Sequence, residues 1–255
     1  MSYIKTETDG HVLIITLDRP DARNAFNLAM SEEMEAIIDR YENDIELRCA
    51  IIQANGPTFS AGQDLIAAAK GERSLTNGRG GFGIMGRPPK KPLVAAVEGQ
   101  ALAGGMELTL CCDMVVASTG AVFGLAEAKR GLVAIGGGCF RLPHRIPHNI
   151  AMEMIITAEP RSAADMHSFG YVNKLVEPGN TLEGAMEYAA LVVRNGPLAT
   201  VASKEIAHRS ATEQWRDEDG WRIQEEIIKP VLASDDLKEG LAAFAEKRDP
   251  VWKGK

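Results

Sequence analysis

The sequence of 255 residues has no long uncharged apolar run and no surplus of positive charge. A membrane-spanning helix needs about 20 consecutive, mostly apolar residues, so we expect none. Lysine and arginine number 28 against 35 aspartate and glutamate residues, and the net charge is −7. Because nucleic acids and anionic membranes bind positive surfaces, we expect neither as a partner. The opening MSYIKTETDG lacks the apolar core of a signal peptide, and we expect a cytoplasmic protein.

Cysteine is also scarce, with four residues and none of the paired spacing that marks a zinc site. Cys111 and Cys112 are adjacent within an apolar run. We therefore expect buried free thiols and no metal.

Short β-branched runs alternate with amphipathic helices in the first part of the chain, and helices alone follow. Apolar side chains at Met34, Ile37, Ile38 and Tyr41 have the spacing of one helix face. The predicted strands are 11–17, 50–54, 93–97, 114–117 and 171–176. The predicted C-terminal helices are 198–208, 219–232 and 236–244. This order predicts an α/β fold with a core over 1–195 and a helical region over 196–255.

Residues 71–92 have neither helical nor strand periodicity, and five glycines lie between 78 and 86. This composition predicts a mobile loop beside the folded core.

Two glycine-containing turns, 59–65 (FSAGQDL) and 103–108 (AGGMEL), each follow a predicted strand and precede a helix. The first N–H groups of a helix have no internal acceptor and carry the positive end of its dipole. Two such turns on neighbouring strands could direct two N–H donors at one oxygen atom. Packing or helix capping is the alternative interpretation, and for each turn alone it is the commoner one.

Two acids twenty residues apart, Glu107 and Glu127, each have mainly apolar neighbours in sequence. Burial of an unpaired carboxylate is costly and raises its pKa. Two such groups in one cleft could hold a water molecule and divide acid and base roles. A surface position or an arginine partner is the alternative.

Several segments together resemble the crotonase (enoyl-CoA hydratase/isomerase) superfamily. They are FSAGQDL, AAVEGQALAGGMELTLCCD, FGLAEAKRGLV and the three glycines at 136–138. The similarity covers nearly the whole chain and is strongest to carnitinyl-CoA dehydratase (crotonobetainyl-CoA hydratase) members, although Gln63 stands where that subgroup tends to have tryptophan. The resemblance implies a crotonase-like ββα spiral core with a helical C-terminal trimerisation region. It also implies a homotrimer or homohexamer.

The same resemblance implies an activity and a site. An oxyanion hole would consist of the N–H groups of Ala61 and Gly104, with Glu107 and Glu127 as catalytic residues. The implied reaction is reversible syn addition of water to a 2-enoyl-CoA thioester, with no cofactor besides the coenzyme A carried on the substrate. The predicted substrate- and CoA-binding residues are Arg23, Ala25, Gly62, Gln63, Asp64, Leu65 and Lys247.

Two other functions remain open from the sequence. A 3-enoyl-CoA to 2-enoyl-CoA isomerase needs only one carboxylate, so the presence of both Glu107 and Glu127 favours a hydratase. A non-catalytic acyl-CoA-binding or RNA-binding relative would need neither acid.

Overall fold

The computed structural model describes residues 2–255, and its strands form two main sheets and a hairpin. The six-stranded sheet has, in spatial order, β1 (Ile4–Asp9), β2 (Val12–Leu17), β3 (Cys49–Ala54), β7 (Leu93–Val97), β9 (Met114–Ser118) and β12 (Lys174–Val176). The four-stranded sheet has β11 (Arg161–Ser162), β10 (Val122–Gly124), β8 (Gln100–Leu102) and β4 (Thr58–Ser60). The hairpin pairs β5 (Leu75–Thr76) with β6 (Gly80–Gly81).

Ten α-helices connect and cover these strands in the described chain. They are α1 (Leu28–Asn43), α2 (Leu65–Ala69), α3 (Gly104–Thr109), α4 (Gly138–Arg141), α5 (His148–Thr157), α6 (Ala163–Ser168), α7 (Thr181–Val193), α8 (Pro197–Thr212), α9 (Asp217–Leu232) and α10 (Asp235–Glu246). Three 3-10 turns lie at Pro20–Ala22, Glu127–Arg130 and Leu142–His144.

The central strands are apolar throughout because both faces of the large sheet are covered. In β3, Ala50 and Ile52 belong to the main core, whereas Cys49 and Ile51 belong to a second core beneath α7. Within the six-stranded sheet of the described chain, β2, β3, β7, β9 and β12 run parallel, and only β1 pairs antiparallel. Parallel sheets covered on both faces have this continuous apolar composition, and the predicted strands at 50–54, 93–97 and 114–117 are confirmed.

The apolar stripe predicted on α1 faces the main core. Met34, Ile38 and Tyr41 are buried, and Ile37 is partly buried against the same cluster. The helix begins after Asn27, whose side chain accepts a hydrogen bond from the Met30 N–H over 3.0 Å, as an N-cap does.

The segment 71–92 is more ordered than its glycine content predicts. It contains the β5–β6 hairpin, and the Arg79 side chain within it is 1% exposed. The guanidinium donates to Asp39 Oδ1 over 2.8 Å, to Arg87 O over 2.7 Å, and to Glu42. This buried cation anchors the segment to α1. Because residues 75–81 form a hairpin, the prediction of a loop without regular structure is wrong for them.

The C-terminal helices predicted at 198–208, 219–232 and 236–244 are confirmed as α8, α9 and α10. Two hydrogen bonds, from Lys204 and to Trp252, connect this part of the chain to the sheets and the segments beside them. Lys204 Nζ in α8 donates to Asp113 Oδ2 over 2.7 Å. Arg48, directly before β3, donates from Nη2 to Trp252 O over 3.0 Å. In the part of the chain described, no helix is long and apolar enough to cross a membrane, and all four cysteines are free thiols.

Candidate active site

Three neighbouring strands of the small sheet end at one edge and carry the candidate residues. β4 and β10 each pair in parallel with β8, with Thr58 and Val122 both opposite Gln100. Parallel strands have their carboxyl ends at the same edge. The chain therefore delivers Gly62 and Gln63 after β4, Gly104 and Glu107 after β8, and Glu127 after β10 to one place.

The two glycine turns are in direct contact. A β-carbon placed on Gly62 would lie 2.7 Å from the Gly104 nitrogen, and one placed on Gly104 would lie 3.3 Å from Gly62 Cα. Gly62 also has a φ of +93°, a conformation that L-residues rarely adopt. Close approach and backbone conformation both require glycine at position 62.

Gly104 is the first residue of α3, and its N–H lies at the positive end of that helix. The N–H groups of Met106 and Glu107 both donate to Ala103 O, over 2.9 Å and 3.1 Å. The Gly104 N–H has no such acceptor among residues 2–255. It is available to a ligand.

The structure contradicts the role predicted for the Ala61 N–H. That group donates to Arg23 O over 3.0 Å, so the protein itself occupies it. Gly62 O accepts from the Phe26 N–H, and the Asp64 N–H donates to Phe26 O, each over 2.8 Å. The N–H groups of successive residues alternate in direction along a bridged segment, so the Gln63 N–H, which lies between these two bonds, points away from Phe26. Within the described chain it has no acceptor.

An aromatic side chain closes one side of this pair of turns. Phe82 stacks on Phe26 with ring centroids 4.3 Å apart, and its ring would lie 2.6 Å from a β-carbon on Gly104. Phe82 has a φ of +54° although it is not glycine, and its N–H donates to Ser74 O over 2.9 Å. Backbone strain of this kind persists only where the surroundings enforce it. The sequence gives no sign of this contact, because it joins residues from three separate segments.

Glu107 lies one helical turn into α3 and is 5% exposed. Its Oε1 accepts a hydrogen bond from the Gly138 N–H over 2.9 Å. Burial raises the pKa of Glu107, while the backbone of Gly138 and Gly136 and the charge of Arg141 oppose that rise. A β-carbon on Gly136 would lie 2.6 Å from Glu107 Oε2, so the glycine loop at 136–138 closes around the carboxylate.

Glu127 begins the 3-10 turn after β10 and is half-buried. Its Oε2 is buried without a hydrogen-bond partner in the described chain. Burial raises the pKa of Glu127 to about 7, and the charge of Glu107 adds to the rise. A buried carboxyl oxygen without a hydrogen-bond partner is rare in proteins. This oxygen is therefore a candidate to bind a ligand or a water molecule.

Comparison with known proteins agrees with this geometry. Residues 7–255 match the family model described as enoyl-CoA hydratase/isomerase. The chain belongs to this family. It is 44% identical to a carnitinyl-CoA dehydratase of Salmonella typhimurium, over 97% of each chain.

Solved structures of enoyl-CoA hydratase/isomerase family proteins share the fold. An enoyl-CoA hydratase from Mycobacterium tuberculosis H37Rv is 46% identical over the full length of both chains, with a TM-score of 0.96. A carnitinyl-CoA hydratase from Mycobacterium avium is 38% identical over both full lengths, with a TM-score of 0.79. The α/β crotonase-like fold predicted from the sequence is thereby confirmed.

Of the other residues predicted to bind substrate, Asp64 has a structural role in this member of the hydratase/isomerase family. Its Oδ1 accepts from the N–H groups of Ile66 and Ala67, over 3.0 Å and 3.1 Å, and so caps α2. Its Oδ2 pairs with Arg19 over 2.8 Å. These contacts lower the pKa of Asp64 against the effect of burial, and they leave little of the carboxylate for a ligand.

The predicted CoA-binding cations are both exposed. The side chains of Arg23 and Lys247 make no hydrogen bond or ion pair with residues 2–255, so both are available. Arg23 directly precedes the buried Asn24 beside the turn of Ala61. Lys247 follows α10 in the helical region, and no hydrogen bond links it to the acids. Ala25 is buried and Leu65 is exposed, both near the Gln63 turn.

Proposed function

We propose that the protein is an enoyl-CoA hydratase, a hydro-lyase that adds water reversibly and syn to a 2-enoyl-CoA thioester. The observation that carries the proposal is the placement of Glu107 and the unpartnered Glu127 at the same sheet edge as two N–H groups that have no acceptor in the described chain. A water molecule and a thioester are the two ligands that such an arrangement suits. The names of the relatives support the same reaction.

In this proposal the thioester carbonyl oxygen accepts hydrogen bonds from Gly104 and Gln63, with Gln63 in the place predicted for Ala61. The two N–H groups draw electron density from the conjugated double bond and make carbon 3 electrophilic. Negative charge then develops on the oxygen as the enolate forms. Each donor directed at such a charge contributes about 2.7–4 kcal/mol to lowering the barrier.

The two glutamates divide the proton transfers. Glu107, whose anion is supported by the Gly138 N–H, accepts a proton from water as the water oxygen bonds to carbon 3. The enolate then collapses, and carbon 2 takes a proton from Glu127. A carboxyl with a pKa of about 7 keeps a large protonated fraction at neutral pH, so Glu127 can act as the acid. Since both acids follow strands that end at one edge of the small sheet, we expect them to act on the same face of the double bond, which is syn addition.

Product analysis tests this proposal. With crotonyl-CoA the protein should give 3-hydroxybutyryl-CoA, and in reverse it should dehydrate that product. With a 3-enoyl-CoA an isomerase would give the conjugated alkene as its first product, without alcohol. Formation of alkene from the 3-enoyl-CoA together with no alcohol from crotonyl-CoA would contradict a hydratase.

A narrower proposal is hydration of crotonobetainyl-CoA to carnitinyl-CoA. Relatives named carnitinyl-CoA dehydratase at 44% identity support it, and enoyl-CoA hydratases at similar identity support the wider class. Aromatic faces commonly bind quaternary ammonium groups. The side chain of Gln63 is an amide and offers no aromatic face to the ammonium group of crotonobetainyl-CoA. Relative kcat/KM values for crotonyl, longer-chain, aromatic and crotonobetainyl thioesters decide between the two.

We also propose a homotrimer or homohexamer in the cytoplasm, with no cofactor besides the coenzyme A of the substrate. Large apolar side chains on the C-terminal helices support self-association, because exposed apolar patches mark interaction sites. Trp221 of α9 is 68% exposed and Phe244 of α10 is 86% exposed. Sedimentation of the purified protein measures the number of subunits, and a monomer would contradict this part.

A further inference from the structure

Arg141, at the end of α4, is a partly buried cation with no carboxylate partner. None of the ion pairs in the described chain includes it. Instead Nη2 donates to Met85 O over 2.7 Å, and Nη1 donates to Gly136 O over 3.2 Å and lies 3.5 Å from Cys111 Sγ. One guanidinium thus joins the segment after the β5–β6 hairpin to the glycine loop.

Those two segments meet at Gly136, beside the carboxylate of Glu107. A β-carbon on Gly136 would lie 2.5 Å from Met85 Sδ and 2.6 Å from Glu107 Oε2. Gly138, two residues on, donates its N–H to Glu107 Oε1. A β-carbon on Gly137 would lie 2.6 Å from Arg141 Nη1. The guanidinium therefore packs directly behind the loop that anchors Glu107.

We propose that Arg141 is a positioning residue for hydration, which holds the 136–138 loop and Met85 in the arrangement that anchors Glu107. This inference rests on the proposed function. Two hydrogen bonds to carbonyl groups on different segments fix the loop more rigidly than its three glycines would alone, because glycine restricts the backbone least. A loop that drifted would carry the Gly138 N–H away from Glu107.

Electrostatics adds a second effect. Among residues 2–255, the charge of Glu107 acts on Glu127 and on the thiols of Cys111 and Cys139. Burial disfavours the Glu107 anion, and the backbone N–H groups and the charge of Arg141 favour it. Removal of the cation therefore raises the pKa of Glu107, and less of the base is ionised at a given pH.

The test compares Arg141→Gln with a matched control, Arg145→Gln. Arg145 lies four residues later and also donates to backbone carbonyl groups, those of Cys112 and Asp113, but it makes no hydrogen bond to the 136–138 loop. The measurement is the pH dependence of kcat/KM for crotonyl-CoA hydration, together with kcat, KM and Tm.

For Arg141→Gln the acidic limb of the profile should move to higher pH by on the order of one unit. The kcat should fall by on the order of 10–100-fold, with KM little changed. Arg145→Gln should lower Tm and keep the parent profile. An unmoved acidic limb in Arg141→Gln, or an equal movement in Arg145→Gln, would overturn the proposal.

Two further measurements keep the proposal testable if Arg141→Gln does not fold or if the protein does not hydrate crotonyl-CoA. If Arg141→Gln does not fold, Arg141→Lys decides: it should keep the acidic limb near that of the parent while kcat falls, and a parent kcat would overturn the positioning role. An infrared titration of Glu107 in a Glu127→Gln background needs no turnover. In that background, loss of Arg141 should still raise the pKa of Glu107 even if crotonyl-CoA is not hydrated.

Discussion

Glu107 and Glu127 differ in how their carboxyl oxygens are bonded: Oε1 of Glu107 accepts the Gly138 N–H over 2.9 Å, whereas the buried Oε2 of Glu127 has no partner in the described chain. Two carboxylates in one apolar region do not ionise independently. Glu107, which accepts a hydrogen bond, is therefore the more easily ionised acid. Glu127, whose Oε2 has no partner, is the one that more readily stays protonated. This asymmetry assigns the base to Glu107 and the acid to Glu127.

The rate of crotonyl-CoA hydration should depend on pH through both acids. Hydration requires Glu107 ionised and Glu127 protonated, so kcat/KM for crotonyl-CoA should rise as Glu107 ionises and fall above about pH 7, where Glu127 loses its proton. Initial rates from about pH 5 to about pH 9 measure both limbs. A profile that stays flat through pH 7 would show that Glu127 is not the acid.

The stability of the folded protein should also depend on pH, and measuring it needs no substrate. Folded protein holds the Glu127 proton up to about pH 7, whereas the unfolded chain releases it near 4.5. The folded state therefore binds the extra proton in this window, and stability falls as pH rises through it. Glu127→Gln removes this loss, so its Tm should exceed that of the parent at pH values above 7. The two Tm values should converge toward pH 4.5.

A matched control for the stability prediction is Glu187→Gln, since Glu187 is exposed on α7 and pairs with Lys174. It should show no gain in Tm at high pH. A Glu127→Gln protein that is less stable than the parent above pH 7 would contradict the assignment of a raised pKa to this residue.

Gly104→Ala tests the contact between the two turns. Its β-carbon would lie 2.6 Å from the Phe82 ring and 3.3 Å from Gly62 Cα, so the N–H must shift. Loss of one well-placed donor costs on the order of 10²–10³ in kcat, and we expect a loss of this size. Gly120→Ala is the control, because the nearest atom to its β-carbon would be 3.8 Å away. Equal activity in the two variants would refute the role of Gly104.

The roles of the Ala61 and Gln63 N–H groups can be tested separately by replacing each N–H with an ester oxygen. At position 63 this change should lower kcat/KM by on the order of 10²–10³ and leave Tm nearly unchanged, because that N–H has no acceptor in the described chain. At position 61 it should lower Tm, because the hydrogen bond to Arg23 O is lost. The reverse result would restore Ala61 as the donor.

The sequence predicted the large sheet well because of how its strands are buried. β3, β7 and β9 are apolar on both faces, and such runs stand out in the sequence. β1 was not predicted, since only Ile4 of its six residues is buried. The three strands that carry the site, β4, β8 and β10, have three residues each, too few for a periodic pattern to show.

The acids of the site were recognisable from the sequence, but what surrounds them was not. Glu107 stood out as a charge within an apolar helix. Its partner Gly138 lies 31 residues later, and Arg141 acts through carbonyl groups that any residue type provides. The choice between Ala61 and Gln63 depends on the direction of an N–H group, which the backbone around Gly62 sets.

Hydration of crotonyl-CoA by the parent, Glu107→Gln and Glu127→Gln proteins tests the central claim most directly. The parent should form 3-hydroxybutyryl-CoA, and each variant should be slower by on the order of 10²–10⁴ while still binding an acyl-CoA. Rates equal to the parent in either variant would contradict the account.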